Sequence, residues 1–346
     1  MKKTFLFYAL CCILGISSCT TPSSQSIKLL QFNIWQEGTV VENGYEAIIS
    51  QVIQSQADLV TLSEVRNYNN TDFTSRVVES LKDSGYTFYS DFSDDSGLLS
   101  KYPILEFSTI YPLSNDEGSA YKALIDMDGQ EIALYTCHLD YRNCTYYDIY
   151  GYSGNTWDKL DAPLLDLDSI LANNIASKRD DAMKQIIASA QKDIAQDRLV
   201  FIGGDYNEPS HLDWVDDTKD LFSHQGLVVP WTVTTLLEEA GFIDSYRAKY
   251  PNPITHPGFT FPSANPAVGI NLLSWAPEAD ERDRIDYIHY APNKGLTLEE
   301  AVIWGPTESI CYGKIIEENT EDIFQMGEGV WPTDHKAVLV TFSFKK

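Results

Sequence analysis

Short runs of apolar residues alternate with polar segments along the whole chain, and their spacing predicts both strands and helices. Strands are expected at 27–35, 57–64, 97–100, 121–126, 131–138, 198–203, 284–290 and 336–344. Helices are expected at 44–54, 71–84, 172–195 and 232–240, with Thr71 or Asp72 as the cap of the second. No linker divides the pattern, so it predicts one domain of two packed sheets with outer helices.

Three long segments interrupt this pattern, at about 139–171, 206–231 and 251–282. Their aromatic residues predict that they are ordered and form an acidic, aromatic wall beside a site. For any single ring, packing of the loop itself is an equally good interpretation. The rings concerned are Tyr141, Tyr146, Tyr147, Tyr150, Tyr152, Trp157, Trp214, Trp231, Phe259, Phe261 and Trp275.

The N-terminus has the pattern of a targeting segment. Two lysines precede an apolar run at 5–16 that is too short to span a bilayer, and Ile16-Ser17-Ser18-Cys19 resembles a bacterial lipobox. We therefore predict a lipoprotein signal peptide at 1–18, a tether at 19–26 and a single domain at 27–346; a plain secretory signal is the alternative. Lipid on Cys19 would anchor the protein in the cell envelope. The uncharged residues after Cys19 favour the periplasmic face of the outer membrane.

Charge and cysteine content narrow the picture further. The chain carries 25 Lys+Arg against 50 Asp+Glu, for a formal net charge of −25. Such a surface repels polyanions, so nucleic acid is the less favoured partner. Beyond the predicted signal peptide and Cys19, the cysteines are Cys137, Cys144 and Cys311. A Cys137–Cys144 disulfide and two free thiols are both open, and the absence of a CxxC pair argues against structural zinc.

Polar side chains recur at the ends of the apolar strands. They are Asn33, Glu64, His138, Asp205, Asn207, Asp286, Asp334 and His335. One such residue would ordinarily be solvated or form a turn. Six strand ends with the same feature indicate a common site.

Together these residues resemble the endonuclease/exonuclease/phosphatase superfamily, with every motif in family order between residues 27 and 344. The most specific matches are Gly204-Asp205-Tyr206-Asn207 and Asp334-His335. Thr333 stands where the family usually has serine, and it keeps the hydroxyl group. The resemblance implies an α/β fold, a four-layer α/β/β/α sandwich of two mostly antiparallel sheets flanked by helices, with the site at one end.

Hydrolysis of a phosphate ester needs neutralisation of the non-bridging oxygens and an in-line nucleophile. Glu64 is a hard oxygen ligand suited to Mg²⁺ or Mn²⁺, with Asn33 supporting the same ion and Asp334 as a further ligand. We expect Asp205 to orient and deprotonate the attacking water, and Asn207 to donate to a phosphate oxygen.

Two histidines complete the expected site. Asp286 and His335 form a plausible carboxylate–imidazole pair, which would favour the charged ring beside the phosphate. The resemblance implies that His138 contacts the scissile phosphate, as in the deoxyribonuclease and sphingomyelinase branch. Arg179 is expected to steady a site carboxylate or contact phosphate, and a surface salt bridge is an equally good interpretation. The other histidines, His211, His224, His256 and His289, are expected to be structural or on the surface.

The sequence thus predicts a monomeric, divalent-metal-dependent hydrolase of a small organic or lipid-linked phosphate ester. A secreted-type endo- or exonuclease is the first alternative. A lipoprotein that binds glycan or lipid without catalysis is the second, and the intact set of polar strand ends argues against it.

Overall fold

The computed structural model describes residues 24–345. The predicted signal peptide, Cys19 and the start of the tether lie outside the described residues. The first strand begins at Ser24, so the last three residues of the predicted tether belong to the sheet. No helix within 24–345 is long and apolar enough to cross a membrane.

The strands form two six-stranded sheets and a separate hairpin. They are β1 (Ser24–Asn33), β2 (Leu59–Val65), β3 (Asp95–Ser100), β4 (Ile104–Tyr111), β5 (Gly118–Met127), β6 (Gln130–Leu139), β7 (Leu199–Asp205), β8 (Ile243–Asp244), β9 (Asp286–Tyr290), β10 (Leu296–Trp304), β11 (Glu308–Cys311), β12 (Lys314–Glu317), β13 (Phe324–Gln325) and β14 (Ala337–Lys345). The first sheet has the order β13-β10-β14-β1-β2-β3, the second has the order β4-β5-β6-β7-β9-β8, and β11 pairs with β12.

Most neighbouring strands run antiparallel, as predicted. The parallel neighbours are β1 with β2, β10 with β13 and β6 with β7. The α-helices are α1 (Gly44–Ser55), α2 (Phe73–Asp83), α3 (Thr145–Tyr150), α4 (Leu167–Asn174), α5 (Arg179–Ile194), α6 (Thr232–Glu239) and α7 (Ser245–Lys249).

Alternating side chains divide the core into layers. On β1, Leu30 and Phe32 pack against α1 and α2, whereas Ile27 and Leu29 face the second sheet. The outer face of the second sheet packs on α5 and α6. The layers therefore follow the order helix, sheet, sheet, helix, and the predicted four-layer sandwich is confirmed.

Two helical predictions differ from the structure. The helix predicted at 172–195 is two helices, because α4 ends at Asn174 and α5 begins at Arg179. In the break, the Lys178 amide donates to Asp140, and the Arg179 side chain turns back to Asn174. The segment 139–171 was predicted to be irregular, but it contains α3 and the start of α4. The predicted cap of α2 is confirmed at Asp72, whose side chain accepts a hydrogen bond from the Ser75 amide.

Candidate functional site

The predicted site residues come together because strands of both sheets meet at one end of the sandwich. In the second sheet, His138 lies opposite Asp205, and Asp205 lies opposite Asp286, so the three residues stand side by side on β6, β7 and β9. In the first sheet, Asn33 ends β1. Asp334 and His335 are separated by Lys336 alone from the start of β14, which runs antiparallel to β1. Residues remote in sequence therefore share one edge of the interface between the sheets.

Asn33 lies at the centre of this group. Its Nδ2 donates to Oδ2 of Asp205 at 2.9 Å and to Oε1 of Glu64 at 3.2 Å. Its Oδ1 accepts a hydrogen bond from the Trp35 amide at 3.0 Å, and this bond fixes which end of the side-chain amide faces the carboxylates. Asn33 therefore orients two acids of the site in this structure. Its support of a metal ion stays a prediction.

Glu64 is placed by an irregularity in β2. The pairing of β2 with β3 shifts between Ser63 and Val65, and Glu64 has a φ of 70°, which is uncommon for a residue with a side chain. Its Oε2 accepts a hydrogen bond from the Gln36 amide at 2.8 Å. A backbone held in this conformation is typical of a functional constraint, since the bulge turns the carboxylate toward the cavity.

The predicted pair of Asp286 and His335 is present, with Nδ1 of the ring 2.9 Å from Oδ2 of the carboxylate. Both side chains are buried. Burial opposes a charged ring, but the charge and hydrogen bond of Asp286 outweigh it and raise the pKa of His335 to about 10.

A second pair of the same kind was missed by sequence reasoning. Nδ1 of His138 lies 3.0 Å from Oδ1 of Asp95, the first residue of β3. Burial again opposes the charged ring, and Asp95 outweighs it, so the pKa of His138 is raised to about 9. Asp95 also contacts Nη1 of Arg66 at 2.7 Å. The only signal in the sequence was an acid at the beginning of a strand rather than at its end.

Asp205 and Asn207 both border the same cavity. Asn207 donates from Nδ2 to the Leu139 carbonyl at 2.9 Å and lies 3.0 Å from Nε2 of His138. Burial and the charge of Asp286 raise the pKa of Asp205 to about 6, against the opposing effect of the two imidazoles. A carboxylate with a pKa in this range can accept a proton from water near neutral pH.

Two groups of side chains could hold a metal ion. Glu64 and Asp334 both border the cavity, and burial together with the Glu64 charge raises the pKa of Asp334 to about 7, against the effect of His335. A divalent cation would relieve this repulsion between acids, and an all-oxygen set suits Mg²⁺ or Mn²⁺.

The second group consists of Asp205, Asp286 and His335, whose potential ligand atoms lie within 4.8 Å of one another. Its members are already engaged, because Asp286 and His335 bond to each other and Asp205 accepts from Asn33. This second group includes an imidazole, whereas Glu64 and Asp334 offer only oxygen atoms, which Mg²⁺ and Mn²⁺ prefer.

The cavity at the site has a volume of about 340 Å³. Carboxylates and imidazoles described above line it. It is also lined by seven aromatic rings, which are Trp35, Tyr141, Tyr146, Tyr147, Trp157, Phe261 and Trp275. The predicted wall is therefore present in part. The remaining rings of the three segments lie elsewhere: Tyr150, Tyr152, Trp214, Trp231 and Phe259.

Arg179 has none of its three predicted roles. Its guanidinium is buried and donates to the carbonyl oxygens of Asp140, Arg142 and Asn143, as well as to Asn174. It therefore ties the start of the 139–171 segment to α5, away from both substrate and solvent.

Among the described residues, none of the other histidines borders the cavity, whereas Cys144 does. His224 stacks on Trp214, and His289 contacts the Tyr206 hydroxyl, as structural residues would. The alternatives for the cysteines are also decided, because Cys137 and Cys144 are both free and buried in this structure.

Fold and site together define a class of protein, the two-sheet sandwiches that hydrolyse phosphate esters. The sequence matches the model of the Endonuclease/Exonuclease/phosphatase family over residues 30–335, and the chain belongs to this family. Members of the family are hydrolases that act on phosphate esters. The resemblance inferred from the motifs is thus confirmed at the level of the family.

Similar proteins extend over nearly the whole chain. The uncharacterized protein F14F9.5 of Caenorhabditis elegans is 28% identical over 331 residues, which cover 93% of each chain. The human Nocturnin catalytic domain with bound sulfate matches with a TM-score of 0.51 and 14% identity, covering 94% of this chain and 98% of that one. A family protein from Bacteroides thetaiotaomicron has a TM-score of 0.51 and 13% identity, covering 94% and 97% of the two chains. At these identities the structural matches show the fold.

Proposed function

We propose that the protein is a divalent-metal-dependent hydrolase of a small organic or lipid-linked phosphate ester. The observation that carries the proposal is the grouping of Glu64, Asp205 and Asp334 with two carboxylate-bound imidazoles around one cavity. The acids can hold a cation and accept a proton, and the rings can carry positive charge. This combination serves an in-line attack on a phosphoryl group.

Glu64 and Asp334 would hold the ion, which would neutralise a phosphoryl oxygen as a Lewis acid. Asp205 borders the cavity and has a raised pKa, so it holds the attacking water and takes up its proton. His335 donates from Nε2 to a phosphate oxygen, because its Nδ1 is occupied by Asp286. Asp286 therefore affects the phosphate only through the His335 ring, which it orients.

His138 and Asn207 form the other side of the phosphate site. Nδ1 of His138 is directed to Asp95, and its Nε2 lies 3.0 Å from Nδ2 of Asn207. Because the pKa of His138 is raised to about 9, the ring carries both protons at neutral pH, which favours an anion beside it. Both side chains then donate to phosphate oxygens.

The cavity favours a small substrate over a polymer. Among the described residues that border it, Arg66 alone is a lysine or arginine, and Asp95 and Asp116 already contact its Nη1. A nucleic-acid backbone needs a row of cations, which the described cavity does not provide. The aromatic rings that line the cavity can instead contact the sugar, polyol or head group attached to the phosphate.

The proposal is tested by hydrolysis of a panel of esters with Mg²⁺ or Mn²⁺. The panel comprises bis-p-nitrophenyl phosphate, sugar phosphates, phospholipid vesicles and plasmid DNA, with Asp205→Asn as the inactive control. We expect turnover of at least one non-nucleotide ester by the native chain and none by the variant. Turnover of DNA alone would establish the nuclease alternative, and turnover of nothing, by folded protein, would leave the non-catalytic binding alternative.

A further inference from the structure

A hydrogen-bonded network of polar side chains crosses the otherwise apolar interface between the two sheets. Its centre is Gln31, which lies two residues before the end of β1 and is completely buried. Nε2 of Gln31 lies 3.1 Å from Oγ of Ser63 and 3.3 Å from Oδ1 of Asp286. Oγ1 of Thr61 donates to Oε1 of Gln31 at 2.5 Å. The network joins β1 and β2 of the first sheet to β9 of the second.

The orientation of the Gln31 amide follows from its partners. An ionised carboxylate only accepts hydrogen bonds, so the nitrogen must face Asp286 and the oxygen must face the Thr61 hydroxyl. Each oxygen of Asp286 then has one donor, with Gln31 on Oδ1 and His335 on Oδ2. The carboxylate is therefore held from two sides, and one of them is Gln31.

The backbone of the second sheet is shaped to admit this network. A Cβ placed on Gly203 would lie 2.4 Å from Oγ1 of Thr61, which no side chain tolerates. Glycine at this position lets Thr61, and with it Gln31, pack directly against β7. Ser63 is also bound to β7, since its Oγ accepts a hydrogen bond from the Asp205 amide at 3.2 Å. Close packing and hydrogen bonding thus fix the two sheets against each other next to the site.

We propose that Gln31 is a positioning residue that holds the Asp286 carboxylate in the orientation required by His335. The amide is neutral, so it satisfies one oxygen of the acid without competing with His335 for the charge. Without this bond, Asp286 can rotate about its terminal torsion and leave the hydrogen bond to the ring. Gln31 itself does not reach the cavity, because its side chain is completely enclosed between the sheets.

This role makes a specific prediction for a variant of nearly equal volume. Gln31→Met keeps the packing and removes the donor to Asp286. Removal of a group that orients a catalytic side chain typically lowers activity about 10- to 100-fold. We expect kcat for bis-p-nitrophenyl phosphate to fall by about this factor, with a much smaller change in KM, since the substrate-contacting groups remain.

The matched control is Gln51→Met. Gln51 is likewise completely buried, and it binds the Trp304 indole and the backbone of Gly327, far from Asp286 in the outer core layer. Both variants lose a buried amide, so both should unfold more readily than the native chain. When kcat is corrected for the folded fraction of the protein, only Gln31→Met should have a lower value than the native chain. Equal kcat values for the two variants would overturn the proposal.

A second measurement does not depend on activity, which matters because the kinetic arm rests on the proposed function. The Nδ1 proton of His335 should give a downfield NMR signal through its bond to Asp286, assigned by its loss in His335→Gln. The signal should shift upfield or broaden in Gln31→Met and stay in place in Gln51→Met. An unchanged signal in Gln31→Met would overturn the positioning role. A native chain that hydrolyses no ester would refute the proposed function and leave this result intact.

Discussion

Asp95 accepts a hydrogen bond at 3.0 Å from Nδ1 of His138, which matches the bond between Asp286 and His335 across the site. Nε2 of the two rings lies 3.8 Å and 3.9 Å from the same atom, Oδ2 of Asp205. The acid proposed to activate water therefore stands between two imidazoles. Each of these rings has a carboxylate behind it that favours its charged form.

The Asp95–His138 contact leads to a first prediction, for Asp95→Asn. The amide cannot offset the cost of a buried charge, so His138 should lose much of its positive character at neutral pH. We expect kcat/KM for the best ester of the panel to fall about 10- to 100-fold. Asp94→Asn is the control, because Asp94 bonds to Asn67 instead of a site histidine. An equal effect of the two substitutions would show that Asp95 acts through loop structure alone.

The second prediction concerns the metal ion. Activity should disappear in chelator and return with Mg²⁺ or Mn²⁺. Glu64→Gln should raise the metal concentration needed for half-maximal activity, because a neutral amide is a weaker ligand than a carboxylate. The bulged backbone at Glu64 should be retained, since glutamine can accept the same bond from Gln36. Full activity of the native chain in chelator would refute the metal assignment.

The site could be predicted from sequence largely because it is built on strand ends. A polar residue that closes an apolar run, such as Glu64 or His138, is visible in the pattern itself. Asp95 escaped because β3 runs antiparallel to β2, so the start of one strand lies beside the end of the other, with Asp95 opposite Val65. The role of Gln31 was not predicted because its partner Asp286 is 255 residues away. The local sequence does not show that Gln31 faces a polar network on the second sheet.

The fold was predicted to the level of layers and less well in detail. The strand β4 was missed because it is an edge strand with no fully buried residue, and its apolar and polar residues do not alternate. The helix α3 was missed because it is held by tertiary packing of its tyrosines, and six residues carry little periodicity. The break between α4 and α5 depends on contacts of Asp140 and Arg179, which no local pattern reveals.

The third prediction concerns the envelope anchor. If Cys19 carries lipid, Cys19→Ser should move the protein from the membrane fraction to the soluble fraction of the cell. The expected anchor is the lipid itself, whose buried methylene groups supply the affinity for the bilayer. The measurement is fractionation with detection of the intact protein, combined with protease treatment of whole cells. Protection of the native chain from protease would agree with a periplasmic face, and membrane retention of the serine variant would contradict the anchor.

The fourth prediction concerns stability and pH at Asp283, a buried acid that accepts hydrogen bonds from Tyr150 and from the Trp214 indole. Burial raises its pKa to about 8, even though both donors oppose the shift. The folded chain therefore keeps a proton that the unfolded chain has lost between about pH 4 and 8, so Asp283 lowers stability as the pH rises through this window. Asp283→Asn should remove that contribution.

The measurement is urea unfolding of the native chain and the variant between pH 5 and 8. The difference in unfolding free energy should shift in favour of the variant by at most about 1.4 kcal/mol per pH unit, the value for one proton. Asp72→Asn is the control, since hydrogen bonds at the start of α2 offset burial and lower the pKa of Asp72, placing its titration below this window. A constant difference for Asp283→Asn across the window would refute the assignment.

The last prediction concerns the aromatic wall, which we expect to select the substrate. Shortening the 139–171 segment, the obvious experiment from sequence, would fail, because α3 buries tyrosines in the core and Arg179 binds the start of the segment. Single substitutions at the cavity avoid this difficulty. Trp157 is only partly buried and contacts Trp275 and Tyr147 at the edge of the cavity.

Trp157→Ala should therefore reduce kcat/KM more for the sugar phosphate or phospholipid that the native chain hydrolyses fastest than for bis-p-nitrophenyl phosphate. Contacts with the organic part of the substrate lower the barrier only for esters that make them, whereas the metal and acid groups act on any phosphoryl group. Tyr86→Ala is the matched control, because Tyr86 is an exposed ring that does not border the cavity. Equal losses on both esters, in a variant whose unfolding curve matches the control, would mean that Trp157 supports the catalytic groups and does not choose the substrate.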